Sequence, residues 1–347
     1  MDLHYQPITL ELETPFRIAH GTSVVRQNVL VRIRAGELEG LGEAAPVRQH
    51  HETQAGVMEY LADQRLPDDP FLLEDLLESL PPGSQAAKAA IDMALHDLQG
   101  RALGVPLYRL WGLNPARVPQ TSFTLGLGPV AEVEAKARAA AARFSILKLK
   151  LDADEAGCLA LVRAVRAAVD SRLVADANCA WTVEQALRLI PALADLGLEW
   201  IEQPLAEDDL EGLERLHQAS TLPIFADEPV RTARDIARLA GRVDGVNIKV
   251  MKAGGLREAQ RMIAVARAHD MQVMLGCMIE TSLGITAAAH LAPLVDWADL
   301  DGNLTLTNDP FVGVGVEGGE LTLPDGSGLG VVPRRLEAGI GESEEGA

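Results

Sequence analysis

The sequence predicts an α/β fold, a (β/α)8 parallel barrel preceded by a smaller α+β section. Three observations predict it. From about Val118 onward, short apolar runs alternate with amphipathic helical stretches, the signature of a parallel sheet with helical crossovers. Eight such runs can be counted, and eight strand–helix units of this length close into a barrel. Before Val118 the texture differs, with alternating apolar and polar runs first and a helical pattern after them.

In the first section, Leu3 to Glu13 alternates apolar and polar, and Val29 to Ala44 reads as a hairpin turning near Ala35-Gly36-Glu37. Pro15 to Asn28 reads as a loop, and Pro46 to Thr53, with Arg48, His50, His51 and Glu52, as a second one. From Met58 to Gly112 the pattern is helical, with Ser84 as N-cap and Ala87, Ile91, Leu95 and Leu98 on one face. The barrel strands are expected at Thr121–Gly126, Ser145–Leu151, Leu173–Asn178, Glu199–Gln203, Pro223–Glu228, Gly245–Val250, Gln272–Cys277 and Trp297–Gly302. Cys158, Leu161, Val162, Val165 and Val169 mark the apolar stripe of the helix after the second strand. Past Asn308 the chain is Gly-rich, alternates again at Glu320 to Leu323, and is expected to pack back on the first section. Gly341 to Ala347 is small and acidic and is expected to be disordered. The expected domains are residues 1–117, 118–307 and a C-terminal segment 308–347.

With 347 residues, 48% of them hydrophobic, the chain can form one large domain with a smaller companion. No apolar run reaches the ~18 residues of a membrane span, and the first residues do not read as a signal peptide. Cys158, Cys179 and Cys277 have no spacing typical of zinc or redox motifs. A soluble, cytoplasmic protein without a membrane partner is expected. The net charge of −19 argues against nucleic acid as a partner, because basic patches are needed to displace counterions.

The chemistry gathers on the barrel strands. In Ser145-Ile146-Leu147-Lys148-Leu149-Lys150-Leu151, alternation puts Lys148 and Lys150 on one face. At roughly 7 Å separation and an effective dielectric of ~20, two such charges repel by ~2.4 kcal/mol, enough to depress a lysine toward use as a base. An edge strand with solvated lysines is the alternative. Further on, Asp176, Glu202, Asp227 and Lys249 follow Lys150 at steps of 26, 26, 25 and 22 residues, each about one strand plus one helix. Five consecutive strands therefore carry an ionisable residue at the same level, where a charge is costly without a partner. One such carboxylate alone reads as a helix N-cap; three at matching steps, without His or Cys, read as hard oxygen ligands for Mg²⁺, with Mn²⁺ as second choice.

This arrangement dictates a reaction class. A substrate carboxylate on the metal would place its α-carbon between Lys150 and Lys249, so one lysine removes the α-proton while the metal stabilises the enediolate. The other returns a proton to the opposite face, giving racemisation or epimerisation by 1,1-proton transfer. A single lysine base would also suit dehydration or cycloisomerisation.

These residues, with Thr14-Pro15-Phe16, Gly42-Glu43-Ala44, Ala87-Lys88-Ala89-Ala90 and Gly254-Gly255, resemble the muconate-lactonizing subgroup of the enolase superfamily. The superfamily is a known example of a Lys or His base working with Mg²⁺. The resemblance implies a modified, TIM-like (β/α)7β barrel with an α+β N-terminal capping domain completed by the C-terminus. It implies Lys150 and Lys249 as acid/base catalysts, Lys148 as the group tuning Lys150, and Asp176, Glu202 and Asp227 as metal ligands. Asn178, Gln203 and Glu228 would orient these groups.

Within the subgroup, Asp299-Leu300-Asp301-Gly302 resembles the Asp-x-Asp element of dipeptide epimerases, which holds the substrate's α-ammonium group. Two anions at a barrel mouth select a cation. Cys277, Met278 and Ile279, after the seventh strand, resemble the segment that lies along the dipeptide, and Thr124 on the first strand is expected to face it. The expectation is a Mg²⁺-dependent L-Xaa-D/L-Xaa dipeptide epimerase, similar to Ala-Glu epimerases, with a small-molecule dipeptide as partner. Barrels of this type often assemble into homo-oligomers, although no interface signature is visible. In the first capping loop, Ile18-Ala19-His20-Gly21-Thr22 lacks the arginine that can hold a glutamate side chain, with Arg17 and Arg26 nearby. His20, Arg48, His50 and Glu52 are further candidates for the outer pocket.

The rivals are an N-succinylamino acid racemase, an o-succinylbenzoate synthase and a muconate cycloisomerase. Their substrates lack the free ammonium group that Asp299 and Asp301 would hold. A Schiff-base aldolase barrel leaves the three carboxylates unexplained, and a non-catalytic metal-binding protein would show no proton exchange.

Overall fold

The computed structural model describes residues 1–18 and 21–334; His20 and the expected disorder of Gly341 to Ala347 lie outside the described residues. Strands β1 (Asp2–Ile18), β2 (Gly21–Ala35) and β3 (Leu38–Ala44) form an antiparallel sheet. The β2–β3 turn comes at Gly36, whose positive φ of 60° suits glycine. Helix Gln85–Leu103, N-capped by Ser84, lies on this sheet. It sits close because β3 carries Gly40 and Gly42 there; a Cβ on either would overlap the carbonyls of Ala94 and Ala90.

The expected loop from Pro15 to Asn28 is instead the far end of a long β1–β2 hairpin. Its pairing breaks between Glu11 and Phe16 and resumes at Phe16–Ser23. The break has a partner. Leu12 bridges Leu306, Glu13 N donates to Thr305 O at 2.8 Å, and the Asn308 side chain accepts from Glu11 N and donates to Thr9 O, each at 2.9 Å.

The eight expected barrel strands are present as β4 (Phe123–Leu125), β5 (Ile146–Lys150), β6 (Arg172–Asp176), β7 (Leu198–Glu202), β8 (Ile224–Ala226), β9 (Gly245–Lys249), β10 (Gln272–Gly276) and β11 (Trp297–Asp299). They pair in that order as one parallel sheet, and Thr121 bridges Ala298, returning the last strand to the first. After β11 the chain makes turns in place of an eighth helix.

Alternation sets the interior in layers. Ile146, Val174, Trp200, Phe225 and Met274 pack as an apolar plug with Trp297, the Trp200 ring 5.0 Å from Phe225 and 5.7 Å from Trp297. Two residues further along these strands stand Lys148, Asp176, Glu202, Asp227, Gly276 and Asp299. The charged layer therefore sits above a dry floor at the carboxyl ends of the strands. Among the described residues no helix is long and apolar enough to cross a membrane.

Candidate active site

Strand register brings the predicted residues together. Lys150 pairs across from Asp176, Asp176 from Glu202, and Gly276 from both Lys249 and Asp299. The β5 strand lies between two neighbours and is buried throughout, so the solvated-edge alternative for its lysines is excluded. Lys148, Lys150, Lys249, Asp227, Asn178, Thr124, Cys277, Met278, Ile279, Asp299 and Asp301 all line one cavity, closed from the other side by Phe16, Ile18, Arg26 and Arg48. Asp176 and Glu202 lie below that wall with no exposed surface.

The lysines and acids neutralise one another. Lys150 Nζ donates to Asp176 Oδ2 at 2.5 Å, and Lys249 Nζ to Asp227 Oδ2 at 2.8 Å. Lys148 Nζ lies 2.6 Å from Asp299 Oδ2, 2.5 Å from Glu202 Oε2 and 3.8 Å from Asp176 Oδ2. The expected depression by lysine–lysine repulsion is therefore reversed at Lys148. Burial alone would lower its pKa, but Asp299, Glu202 and Asp176 raise it well above the usual value. Lys249 behaves likewise, with burial opposed and outweighed by Asp227 and Glu202. Lysines inserted between the acids also mean that, among the described residues, no three acids are already gathered as a cation cluster.

The acids still fit a hard cation. Six carboxyls, Asp176, Glu202, Asp227, Glu228, Asp299 and Asp301, face four ammonium groups, Lys148, Lys150, Lys249 and Lys252, leaving an excess of two negative charges. The excess is visible in the acids themselves. Burial and Asp176 push Glu202 up to about 7, burial with Asp227 and Asp176 pushes Glu228 up to about 8, and burial with Asp299 pushes Asp301 up to about 6. Buried Oε2 atoms of Glu202 and Glu228 and Oδ1 of Asn178 have no hydrogen-bond partner; Lys148 Nζ is near Glu202 Oε2 but not aligned with it. Unpaired buried oxygens among mutually repelling carboxylates are what a divalent oxygen-seeking ion would satisfy.

Asn178 and Gln203, two of the residues expected to orient this layer, hydrogen-bond to it. The Asn178 amide N–H and side chain donate to Asp176 at 2.8 and 3.1 Å, and its side chain reaches Glu228 at 3.4 Å. Gln203 accepts from Asp227 N at 2.8 Å and donates to Leu205 O at 2.7 Å. Both sit at positive φ, 43° and 37°, in the turns after β6 and β7.

Two residues went unread in the sequence. Asn247 donates to Glu202 Oε1 at 2.7 Å, and Lys252 Nζ contacts Asp227 O and sits 2.5 Å from its Oδ1. Alternation back from Lys249 was a signal for Asn247; nothing in strand periodicity marks Lys252, which lies on the short helix Val250–Ala253.

Asp299 accepts from Ser122 Oγ at 2.5 Å and Thr124 Oγ1 at 3.3 Å, and Asp301 from Thr124 N at 2.6 Å, so Thr124 braces the acid pair. Among the capping candidates, Arg48 reaches the cavity. His50 does not line it; burial, Arg231 and Lys252 hold it down at about 4. Glu52 is taken up in structure, accepting from Val47 N, Ser84 Oγ and Ala86 N.

Comparison with known proteins agrees across the chain. Residues 131–337 match the family model for the enolase C-terminal domain-like fold, and residues 5–112 the mandelate racemase / muconate lactonizing enzyme N-terminal domain. The L-Ala-D/L-Glu epimerase of Bacteroides thetaiotaomicron is 42% identical over 96% of this chain and 88% of its own. The dipeptide epimerase of Enterococcus faecalis V583, solved in complex with Mg and L-Leu-L-Tyr, superposes with a TM-score of 0.89 at 36% identity, covering 95% of this chain and 98% of that one. The dipeptide epimerase of Methylococcus capsulatus, in complex with Mg and L-Arg-D-Lys, has a TM-score of 0.91 at 35% identity, with coverage of 95% and 99%.

Proposed function

The chain belongs to the mandelate racemase / muconate lactonizing enzyme family of the enolase superfamily, and from that premise we propose that it is a Mg²⁺-dependent dipeptide epimerase with Lys150 and Lys249 as its two acid/base catalysts. One observation carries the reading. Lys150 ends β5 and Lys249 ends β9, four strands apart in a ring of eight, so the two ammonium groups enter one cavity from opposite sides. A dipeptide α-carbon held between them can lose a proton to one and regain it from the other, inverting its configuration. Each lysine also hydrogen-bonds a carboxylate of the charged layer, Lys150 that of Asp176 and Lys249 that of Asp227, which fixes where each ammonium group points.

Mg²⁺, when bound, supplies positive charge where negative charge builds up on the substrate carboxylate. Asp176, Glu202 and Asp227 would hold it. Asp299 and Asp301 would bind the dipeptide's ammonium group, which fits a pair of anions and excludes N-succinyl substrates. Asp301 offers the cleaner test, because Asp299 also anchors Lys148. Asp301→Asn is expected to raise KM for free dipeptides roughly tenfold to a hundredfold, the ~1.5–3 kcal/mol of one charged hydrogen bond, while leaving N-acetylated dipeptides equally poor. Equal KM for wild type and variant would remove Asp301 from substrate binding.

The cavity also favours an acidic side chain on the epimerised residue. Arg26 lines it half-buried, and burial and the adjacent Arg48 hold its guanidinium down at about 10. An arginine missing from residues 18–22 is thus replaced from β2. Arg26→Ala is expected to raise KM for L-Ala-L-Glu at least ~10-fold and to spare L-Ala-L-Leu, given the usual worth of a charged hydrogen bond. Deuterium incorporation at the α-carbon from D₂O, read by mass spectrometry over dipeptide libraries, tests the activity itself. A library without any mass shift would refute it.

A further inference from the structure

The cavity wall formed by Cys277, Met278 and Ile279 continues into Glu280, which is buried in the seam between the antiparallel sheet and the barrel. Across the seam stands Glu43, near the end of β3 and fully buried. Where a Cβ would sit on Gly284, the distance is 2.5 Å to Glu280 Oε2 and 3.1 Å to Glu43 Oε2, so the two carboxyls crowd the space that the glycine leaves.

Their hydrogen bonds are unequal. Glu43 accepts from Asn28 Nδ2 at 2.8 Å, Thr281 N at 3.0 Å, Thr281 Oγ1 at 2.6 Å and Gly284 N at 3.2 Å. Among the described residues Glu280 accepts only from Met278 N, at 2.7 Å. Asn28 Nδ2 also donates to Ile279 O at 3.1 Å. Glu280 therefore holds the Met278 backbone directly, and Glu43 holds that of Ile279 through Asn28.

We propose that Glu43 and Glu280 form a clamp carrying a single negative charge, with Glu43 ionised and Glu280 neutral, that positions the Cys277–Ile279 wall against the substrate. They are positioning residues, because neither lines the cavity. Two buried carboxyls this close cannot both ionise at low cost; burial raises Glu43 too, but the hydrogen bonds from Thr281, Asn28 and Gly284 oppose that rise, and the acid with more donors keeps the charge. Burial and Glu43 push Glu280 up to about 8. The other groups acting on it are the Lys249 ammonium and the Cys277 thiol, a thiol that Asp301 and Asp299 also act on; Asp309 holds Ser282 N and Oγ at 3.0 and 2.6 Å on the next turn.

Because the folded state keeps the Glu280 proton to higher pH than the unfolded state, the stability it contributes is complete below the ordinary glutamate pKa and is lost as pH rises through about 8. Above that pH a second charge with a single donor pushes the two acids apart, and the wall loosens.

This inference rests on the dipeptide reading for its kinetic half only, so the test has two arms. In the first, KM counted on the ammonium form of a turned-over dipeptide, whose own amine titrates at about pH 8, is expected to rise severalfold in wild type between pH 7 and 9.5 with kcat nearly level, and Glu280→Gln, which keeps the Met278 contact without the charge, is expected to flatten that rise. Glu280→Ala is expected to have a raised KM at every pH. In the second, amide hydrogen exchange of residues 277–281 is compared between wild type and Glu280→Gln at the same pH. Faster exchange in wild type at pH 9 and equal rates at pH 7 are expected. Equal rates at both, or an alkaline rise in KM that persists in Glu280→Gln, would overturn the clamp. An exchange difference without turnover of any dipeptide would support the clamp and overturn the functional reading instead.

Discussion

Lys150→Ala and Lys249→Ala are each expected to lower epimerisation roughly 10²–10⁴-fold, the usual contribution of a positioned acid or base. The two losses are distinguishable. With one lysine left, the α-proton can still be taken from one face, so each variant should exchange deuterium from D₂O into one stereoisomer of the dipeptide and leave the other unlabelled. The labelled isomer should switch between the two variants. The expected cause is geometric: the lysines stand on β5 and β9, across the barrel from each other, so each would serve only its own side of an α-carbon held between them. Near wild-type epimerisation by either variant, or labelling of both isomers by both, would rule out the two-base scheme.

Removing the cation is expected to be as severe. Chelation should reduce turnover by about 10³-fold or more, since a metal at the reacting carboxylate supplies several kcal/mol of charge stabilisation, and added Mg²⁺ should restore it. Glu202 locates the effect. Its carboxylate is completely buried, one oxygen is held by Asn247, and the other has no aligned donor. Glu202→Gln cancels one of the two excess negative charges of the site while Asn247 keeps the side chain in place. Its expected signature is loss of the Mg²⁺-induced rise in Tm, which needs no catalysis to be observed. A variant stabilised by Mg²⁺ as strongly as wild type would take Glu202 out of the ligand set.

Much of this site was legible in the sequence because a barrel strand is short and strictly alternating. Asp176, Glu202 and Asp227 each stand two residues after an apolar floor residue, so period and spacing put them at one height; Lys150, expected level with them, stands four residues after Ile146, and Lys148 takes that height in its place. What pairs with what was not legible. Lys148 meets Asp299 across 151 residues of sequence, and that contact reverses the direction of the pKa shift that its near neighbour Lys150 suggested. Local repulsion is visible along a strand; its compensation from the far side of a closed sheet is not. The first capping loop failed for a related reason. Pro15 and Gly21 read as loop residues, yet the hairpin continues through them: Phe16 to Ile18 pair with Gly21 to Ser23, and residues 305–308 partner Thr9 to Glu13 beside the gap in the β2 pairing. Arg26 was consequently placed beside the pocket when it belongs on its wall.

The interruption in the first hairpin, filled by residues 305–308, and the docking of Gly328 and Leu329 on Leu107 and Asp97 have a consequence for biosynthesis. The roof of the catalytic chamber is sewn from residues 9–18 and 305–308. A ribosome must therefore have made that later segment before the roof can close, and a nascent barrel whose eight strands have already paired still waits for the residues that follow them.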